Sequence, residues 1–287
     1  MWQEISAQIA KKTGTSFAVR DRRSVGGGCI NQAYQIRGDS CTYFVKLNQA
    51  VKVEMFQAEA LGLQQMYDTQ TIIVPQPVCW GVAENKSYIV LQWLDLGRAN
   101  NSSWLEMGKQ LALMHQKGKA ERFGWQMNNT IGSTPQINNW KDSWADFFAK
   151  ERIGYQLRLA NRKGGNFGNI EEIIATVAKK LANHNPQASL VHGDLWSGNA
   201  DATRDGTPTI FDPATYYGDR EVDLAMTELF GGFPAAFYQG YNQQWQLEDG
   251  YQERKAIYNL YHILNHFNLF GGGYGSQAKR IIQQLCI

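Results

Sequence analysis

Short runs of alternating apolar and polar residues dominate the first third of the chain. Residues 42–47 form the clearest run, and two similar runs follow at residues 78–82 and 88–93. A period of two, with aromatic and β-branched side chains, predicts strands. Between them, residues 52–67 change to helical spacing, with an apolar face formed by Phe56, Ala60 and Leu63. The pattern predicts a small, β-rich unit that contains one substantial helix.

A different pattern begins after the last of these strands. Apolar residues recur at helical spacing over residues 104–114, and most later segments also have a helical pattern. Two short apolar runs, residues 189–191 and 209–211, are exceptions that lead into polar loops. We therefore expect an α+β fold with two lobes. Residues 1–94 would form a small antiparallel-sheet N-lobe, and residues 95–287 a larger, mainly helical C-lobe.

Composition and charge narrow the class of protein. Of the 287 residues, 43% are hydrophobic and nine are Trp, which excludes a disordered chain and provides enough apolar side chains for a core in each lobe. The formal net charge of +2 gives no support to a dedicated nucleic-acid binder. A small molecule is therefore the expected partner, and no nucleic acid is expected.

The N-terminus and the cysteines predict a cytoplasmic location. Glu4 lies within the first residues, and no apolar run approaches ~18 residues, so neither a signal peptide nor a membrane span is expected. The cysteines lack C-x-x-C or metal-ligand spacing, which favours free thiols in a reducing compartment over a disulfide framework. They are Cys29, Cys41, Cys79 and Cys286.

Three features of the β-rich part indicate a phosphate-binding site. The run Gly26-Gly27-Gly28 lies between two predicted strands, where a backbone without Cβ atoms can approach a phosphate, although a hairpin turn also explains it. Alternation places Lys46 on the inward face of its strand, where an ammonium needs an anion unless it extends to water. Glu59, on the following helix, is the expected partner. The run is neither a P-loop nor a dinucleotide-binding fingerprint.

The segment 190–199 carries the strongest chemical signal. Asp194 and Asn199 lie five residues apart in it, and Asp212 follows the next apolar run. Each residue alone is an ordinary turn former. Together they provide a carboxylate to orient an attacking hydroxyl and hard oxygen ligands for Mg²⁺, as phosphoryl transfer requires.

The same segment, His192-Gly193-Asp194-Leu195-Trp196-Ser197-Gly198-Asn199, resembles the corresponding loop of the fructosamine kinase (ketosamine-3-kinase) family. This family is related to aminoglycoside phosphotransferases and choline kinases. The resemblance continues in the glycine run and the Lys46 strand, and in residues 107–115, 129–136, 217–225 and 264–268. It implies a bilobal protein-kinase-like fold.

The resemblance also implies an activity: ATP- and Mg²⁺-dependent phosphorylation of the 3-hydroxyl of ketosamines, in deglycation repair. Asp194 would be the catalytic base. Asn199 and Asp212 would hold Mg²⁺. The residues expected to bind the nucleotide are Gly26, Gly27, Gly28, Lys46, Glu59, Gln92, Trp93 and Leu94, the last three through their backbone at the adenine edge.

Further residues receive roles by their position. Trp196 and His266 are expected to contact the acceptor, although each is also explained as a packed side chain. His192 and Asp223 are expected to hold the loop rather than touch substrate. Cys29 is a candidate for oxidation, so the protein is expected to be a monomer or a redox-linked homodimer.

Two other functions compete with this interpretation. An aminoglycoside or amino-alcohol kinase calls for an acidic cleft. The acidic residues available for it alternate with basic ones between residues 141 and 152, which favours a less cationic substrate. A non-catalytic nucleotide-binding scaffold predicts loss of a key residue, and none is missing. The sequence leaves open which ketosamine sugar is preferred, and whether the substrate is free or protein-bound.

Overall fold

A computed structural model describes residues 1–26 and 30–285. Its helices are α1 (Trp2–Thr13), α2 (Val53–Asp68), α3 (Asn101–Lys117), α4 (Trp144–Phe147), α5 (Tyr155–Arg162), α6 (Ile170–Leu181), α7 (Glu221–Leu229), α8 (Ala235–Gln244), α9 (Tyr251–Phe270) and α10 (Tyr274–Leu285). A π-helical segment, Phe148–Gly154, joins α4 to α5. Its strands are β1 (Asp21–Val25), β2 (Gln32–Arg37), β3 (Thr42–Gln49), β4 (Pro77–Ala83), β5 (Lys86–Gln92), β6 (Lys119–Ala120), β7 (Asn129–Ile131), β8 (Thr134–Gln136), β9 (Ala188–Val191), β10 (Ala200–Ala202), β11 (Pro208–Ile210) and β12 (Tyr216–Gly218).

The N-terminal part is a five-stranded antiparallel sheet with the order β1-β2-β3-β5-β4. Its central strand, β3, pairs with β2 and β5 and carries Val45 and Leu47 into a buried cluster with Ile36 and Val90. Helix α2 packs on β4 and β5 through its buried face. The predicted α+β fold, with a small antiparallel sheet followed by a helical part, is confirmed. The division at residue 94 stays a prediction.

The helical part contains short strands that the sequence analysis did not predict. Strands β7 and β8 form a tight hairpin, and β12 pairs with β9 just before the segment with the strongest signal. Strands of two or three residues are too short to show a period of two, which explains the difference. The runs at 189–191 and 209–211 do form strands, β9 and β11.

Helices α3 and α8 cross closely because each contributes a glycine to the contact. A Cβ on Gly108 would overlap the carbonyl oxygen of Phe237, and one on Gly240 would overlap the carbonyl oxygen of Leu105. The two backbones therefore touch without intervening side chains. This crossing anchors α3, whose last turn carries His115 into the centre of the molecule, where it is fully buried.

A buried ion pair fixes the start of α7. His184 Nε2 lies 2.7 Å from Asp219 Oδ2, and Tyr258 donates a second hydrogen bond to the same oxygen. Arg254 holds the neighbouring Glu221 with two hydrogen bonds of 2.7 Å. Burial opposes protonation of His184, but the hydrogen bond and charge of Asp219 outweigh it and raise the pKa of this imidazole.

Because the pKa of His184 is raised on folding, its stabilising effect is full below the ordinary His pKa of about 6.5 and is lost as pH rises through the folded pKa. We therefore expect His184→Gln to reduce the free energy of unfolding more near pH 6 than near pH 8.5. Urea denaturation at both pH values measures this difference. An equal cost at both would contradict a charged pair.

Two further findings concern the helices and the cysteines. Within residues 1–26 and 30–285, no helix combines the length and apolar character needed to cross a membrane. Of the cysteines in these ranges, Cys41 is exposed, Cys79 is buried, and both are free thiols. Burial raises the pKa of the Cys79 thiol to about 11, so it is unreactive at neutral pH. Cys29 and Cys286 lie outside the described residues.

Candidate active site

Lys46 lies between two carboxylates at the centre of the site. Its ammonium is 2.8 Å from Glu59 Oε1 on α2 and also forms an ion pair with Asp212. Lys46 is only 6% exposed, so it does not extend to water. Burial alone would lower the pKa of Lys46, but the charges of Asp212 and Glu59 outweigh burial and raise it. The structure thus brings together Lys46 and the glutamate expected from the sequence.

Asp212 has an unusual backbone conformation. It follows β11 with φ +63°, in the left-handed backbone region that residues other than glycine rarely adopt. Half of its side chain is exposed. Burial of the surrounding cleft opposes ionisation, but Lys46 outweighs it and lowers the pKa of Asp212. A strained backbone that directs a carboxylate into a cleft is typical of a functional position.

Asp223 fixes the loop of residues 192–199, called here the catalytic loop after its predicted role. This fully buried carboxylate on α7 accepts hydrogen bonds from the backbone N–H groups of His192 (2.7 Å) and Gly193 (2.8 Å). It also lies 3.0 Å from His115 Nε2. Burial opposes the charge, but these partners, led by His115, lower the pKa of Asp223. The carboxylate therefore ties the backbone of the loop to α7.

His192 links the catalytic loop to residues 211–215, called here the Asp212 segment. Its Nε2 lies 3.0 Å from the carbonyl oxygen of Phe211, and its Nδ1 lies 3.2 Å from the backbone nitrogen of Asp194. Burial lowers the pKa of His192, which favours the neutral ring. A neutral ring that donates from Nε2 and accepts at Nδ1 satisfies both contacts.

Asp194 and Asn199 face the same cleft as Asp212. Asn199 Nδ2 donates to the backbone oxygen of Asp194 at 2.9 Å, and its nitrogen is 3.5 Å from Asp194 Oδ2. Burial, together with the charges of Asp212 and Asp223, raises the pKa of Asp194 to about 7. The site therefore has more negative charge than its own cations balance.

This donor set fits a divalent cation. Within the described residues, Asn199 uses its amide nitrogen in hydrogen bonds and leaves Oδ1 without a partner. Asp212 adds a half-exposed carboxylate, and its backbone oxygen lies 3.5 Å from Asn199 Nδ2. Amide and carboxylate oxygens are the ligands that Mg²⁺ prefers, and a cation would relieve the repulsion that raises the pKa of Asp194.

The predicted adenine edge lies at the end of β5. The N–H of Gln92 already donates to the carbonyl of Gln76 at 2.8 Å, so this amide is not free for a ligand. Across residues 1–26 and 30–285, Trp93 and Leu94 form no backbone hydrogen bond outside regular elements. Their N–H and C=O groups are therefore available. The backbone of Trp93 and Leu94 suits the predicted role better than the N–H of Gln92.

The glycine run is described only at its first residue. Gly26 is exposed, and a Cβ there would meet no atom within 4 Å. Gly26 itself therefore shows no steric need for glycine. Gly27, Gly28 and Cys29 lie outside the described residues, and so do the predicted phosphate and redox roles that rest on them.

The two predicted acceptor residues differ in their surroundings. Trp196 is 40% exposed beside Asp194, and its ring covers Gly198 so closely that a Cβ there would overlap it. His266 is half-buried on α9, with its ring 4.6 Å from that of Phe230. None of the contacts described for His266 involves the catalytic loop. Of these two residues, Trp196 is part of the catalytic loop, whereas His266 packs among aromatic rings.

No sequence pattern indicated the residues that support the Asp212 segment. Gln136 Nε2 donates to the carbonyl of Ala214, and Asn129 Nδ2 donates to that of Thr215, at 2.9 and 2.8 Å. His115, the third partner of Asp223, was missed as well. These residues lie in segments that resemble the family. Residue spacing alone, however, does not indicate which partner an amide or imidazole side chain contacts.

This fold and this arrangement of Lys, Glu, Asp and Asn define a phosphotransferase of the kinase-like class. The choline kinase LicA of Streptococcus pneumoniae shares the fold, with a TM-score of 0.64 and 16% identity over 99% of this chain and 98% of that chain.

The family model described as fructosamine kinase matches residues 1–287. The chain belongs to the fructosamine kinase family and is a kinase.

Relatives agree with this assignment. A probable ketoamine kinase of Synechocystis is 59% identical, covering 99% of this chain and 96% of that protein. The chloroplastic protein-ribulosamine 3-kinase of Arabidopsis thaliana is 43% identical over 90% of this chain and 80% of that protein. The crystal structure of a Haemophilus somnus protein described as a fructosamine-3-kinase is also similar. Its TM-score is 0.94 and its identity is 36%, covering 100% of this chain and 98% of that one.

Proposed function

We propose that this kinase transfers the γ-phosphoryl group of ATP to the 3-hydroxyl of a ketosamine. The observation that carries the proposal is the convergence of Asp194, Asn199 and Asp212 on one cleft beside the Lys46–Glu59 pair. Membership of the fructosamine kinase family and the names of its relatives support the choice of acceptor.

Each residue then has a distinct task. Lys46, held by Glu59, would bind the α- and β-phosphates, and the backbone of Trp93 and Leu94 would meet the adenine edge. Asn199 and Asp212 would hold Mg²⁺, which when bound offsets the charge of the transferring phosphate.

Asp194 would orient the 3-hydroxyl and accept its proton while the hydroxyl oxygen bonds to the γ-phosphorus and ADP leaves. Trp196 would stack on the sugar or its amine at the mouth of the cleft. His266 would act indirectly, by packing against the aromatic side chains around it. The 3-phosphate so formed would be the unstable intermediate of deglycation.

The free thiols of Cys41 and Cys79 support a reducing, cytoplasmic setting.

The charges around residues 141–152 favour this acceptor over an aminoglycoside. Asp142 pairs with Arg122 at 2.7 Å, and Asp146 pairs with Lys150 at 2.5 Å. Glu151 lies 3.6 Å from Lys141. Because each acid already faces a cation, this segment does not present the unpaired negative charge that a polycationic antibiotic needs.

Coupled ADP release with MgATP tests the proposal. The acceptors are ribulose-lysine, erythrulose-lysine, fructose-lysine and one aminoglycoside, with the reaction lacking acceptor as the control for background hydrolysis. We expect turnover with at least one ketosamine and none with the aminoglycoside. Binding of ATP without turnover of any ketosamine, or turnover of the aminoglycoside alone, would overturn the proposed acceptor.

A further inference from the structure

Helix α2 approaches the segment after Asp212 closely at Gly62. This glycine is buried in the middle of the helix, three residues after Glu59. A Cβ at position 62 would lie 2.6 Å from Thr215 Oγ1 and 3.0 Å from Thr215 Cβ. Glycine is less favourable than alanine inside a helix, so helix propensity does not explain its presence. The close approach of Thr215 does.

Thr215 occupies an equally unusual position. It is 1% exposed, and within residues 1–26 and 30–285 its hydroxyl oxygen has no hydrogen-bond partner. A buried hydroxyl without a partner carries a desolvation cost. Its backbone cannot move away easily, because Asn129 holds the Thr215 carbonyl and Gln136 holds that of Ala214.

Two links therefore join α2 to the Asp212 segment and close a ring. The first is ionic and runs from Glu59 through Lys46 to Asp212. The second is the van der Waals contact of Gly62 with Thr215, three residues beyond Asp212. The two held carbonyls fix the Thr215 backbone, and with it the Cβ that a methyl group at position 62 would meet at 3.0 Å. We therefore expect added volume at position 62 to displace the helix.

We propose that Gly62 is a positioning residue: its missing side chain lets α2 lie against Thr215, and this distance holds Glu59 at Lys46. The proposal rests on the proposed function, because it assigns Lys46 to the nucleotide. A methyl group at position 62 moves α2 outward, lengthens the Glu59–Lys46 contact and leaves Lys46 paired with Asp212 alone. The substitution does not alter the identity of any residue that lines the cleft.

Gly62→Ala tests this arrangement. We expect kcat/KM for ATP to fall about tenfold, while KM for the ketosamine stays within about twofold. The melting temperature should fall only modestly, because the helix propensity gained with alanine offsets part of the cost of overpacking. A purely structural role would lower the melting temperature and leave kcat/KM for ATP unchanged. Unchanged kcat/KM for ATP in a folded Gly62→Ala variant would overturn the proposal.

A pair of double variants isolates the contact. Thr215→Ala removes the hydroxyl, so Gly62→Ala combined with Thr215→Ala should recover most of the lost kcat/KM, measured against the Thr215→Ala single variant. Thr215→Val keeps the branched side chain at the contact, so Gly62→Ala combined with Thr215→Val should recover little. Equal activity of the two double variants would overturn the assignment of the contact.

The test does not depend on the acceptor. Binding of a fluorescent ATP analogue with Mg²⁺ reports the Lys46 site directly, so the same order of variants is expected in its Kd even if no ketosamine is turned over. If Gly62→Ala does not fold, Thr215→Ile adds volume at the contact from the other side. Unaltered analogue affinity in that variant would overturn the proposal.

Discussion

Asp194→Asn is expected to lower kcat with a ketosamine by about 10³-fold, the usual contribution of a positioned general base. Asparagine keeps the shape of the side chain and its place beside Asn199, but it cannot accept the proton of the attacking hydroxyl. Affinity for MgATP should change by less than about threefold, because Asp194 acts on the acceptor rather than on the nucleotide. Coupled ADP release and nucleotide titration measure the two effects separately.

Asp249→Asn is the matched control, since it makes the same change at an exposed residue between α8 and α9. It should retain wild-type kcat. Near-normal kcat in Asp194→Asn would refute the assignment of the base. Loss of nucleotide affinity equal to the loss of kcat would show that the residue acts in binding.

Gly240→Ala is expected to have the largest effect on stability. The added Cβ overlaps the carbonyl oxygen of Leu105, an atom of the helix backbone that cannot rotate away. Helices α3 and α8 must therefore separate. Overpacking of a core costs about 1–3 kcal/mol, and a clash with backbone belongs at or above the upper end, so we expect a loss of about 3 kcal/mol in the free energy of unfolding.

Chemical denaturation measures this loss, with Gly273→Ala as the control. Gly273 precedes α10, and a Cβ there meets no atom within 4 Å. Its substitution should change the free energy of unfolding by less than about 0.5 kcal/mol. A similarly small effect for Gly240→Ala would show that the two helices yield easily at their crossing.

The sequence predicts local structure best where one face of an element is buried. Strand β3 and helix α2 agree with their predicted ranges within two residues because their apolar positions repeat at the period of each element. Lys46 and Glu59 could be paired for the same reason: a charge on an inward face requires a partner, and the next helix offers one.

The contacts that hold the site could not be predicted in this way. Asp223 lies 108 positions from His115 and 31 from His192, and no local pattern records such pairings. The left-handed backbone of Asp212 was also hidden, because an aspartate in a loop is ordinary in a sequence. The role of His266 stays a prediction: its ring packs against Phe230 and Tyr274, and spacing along a helix does not indicate such neighbours.

The bonds from Asp223 to the catalytic loop have a consequence for how activity would be lost on heating. They tie the N–H groups of His192 and Gly193 to a residue inside α7, which is itself packed on α9. The loop cannot fray alone without removing two of the hydrogen bonds that a fully buried carboxylate accepts, which leaves it His115. Its amide hydrogens therefore belong to the same cooperative unit as the helical core, and catalysis should persist until that unit unfolds as a whole.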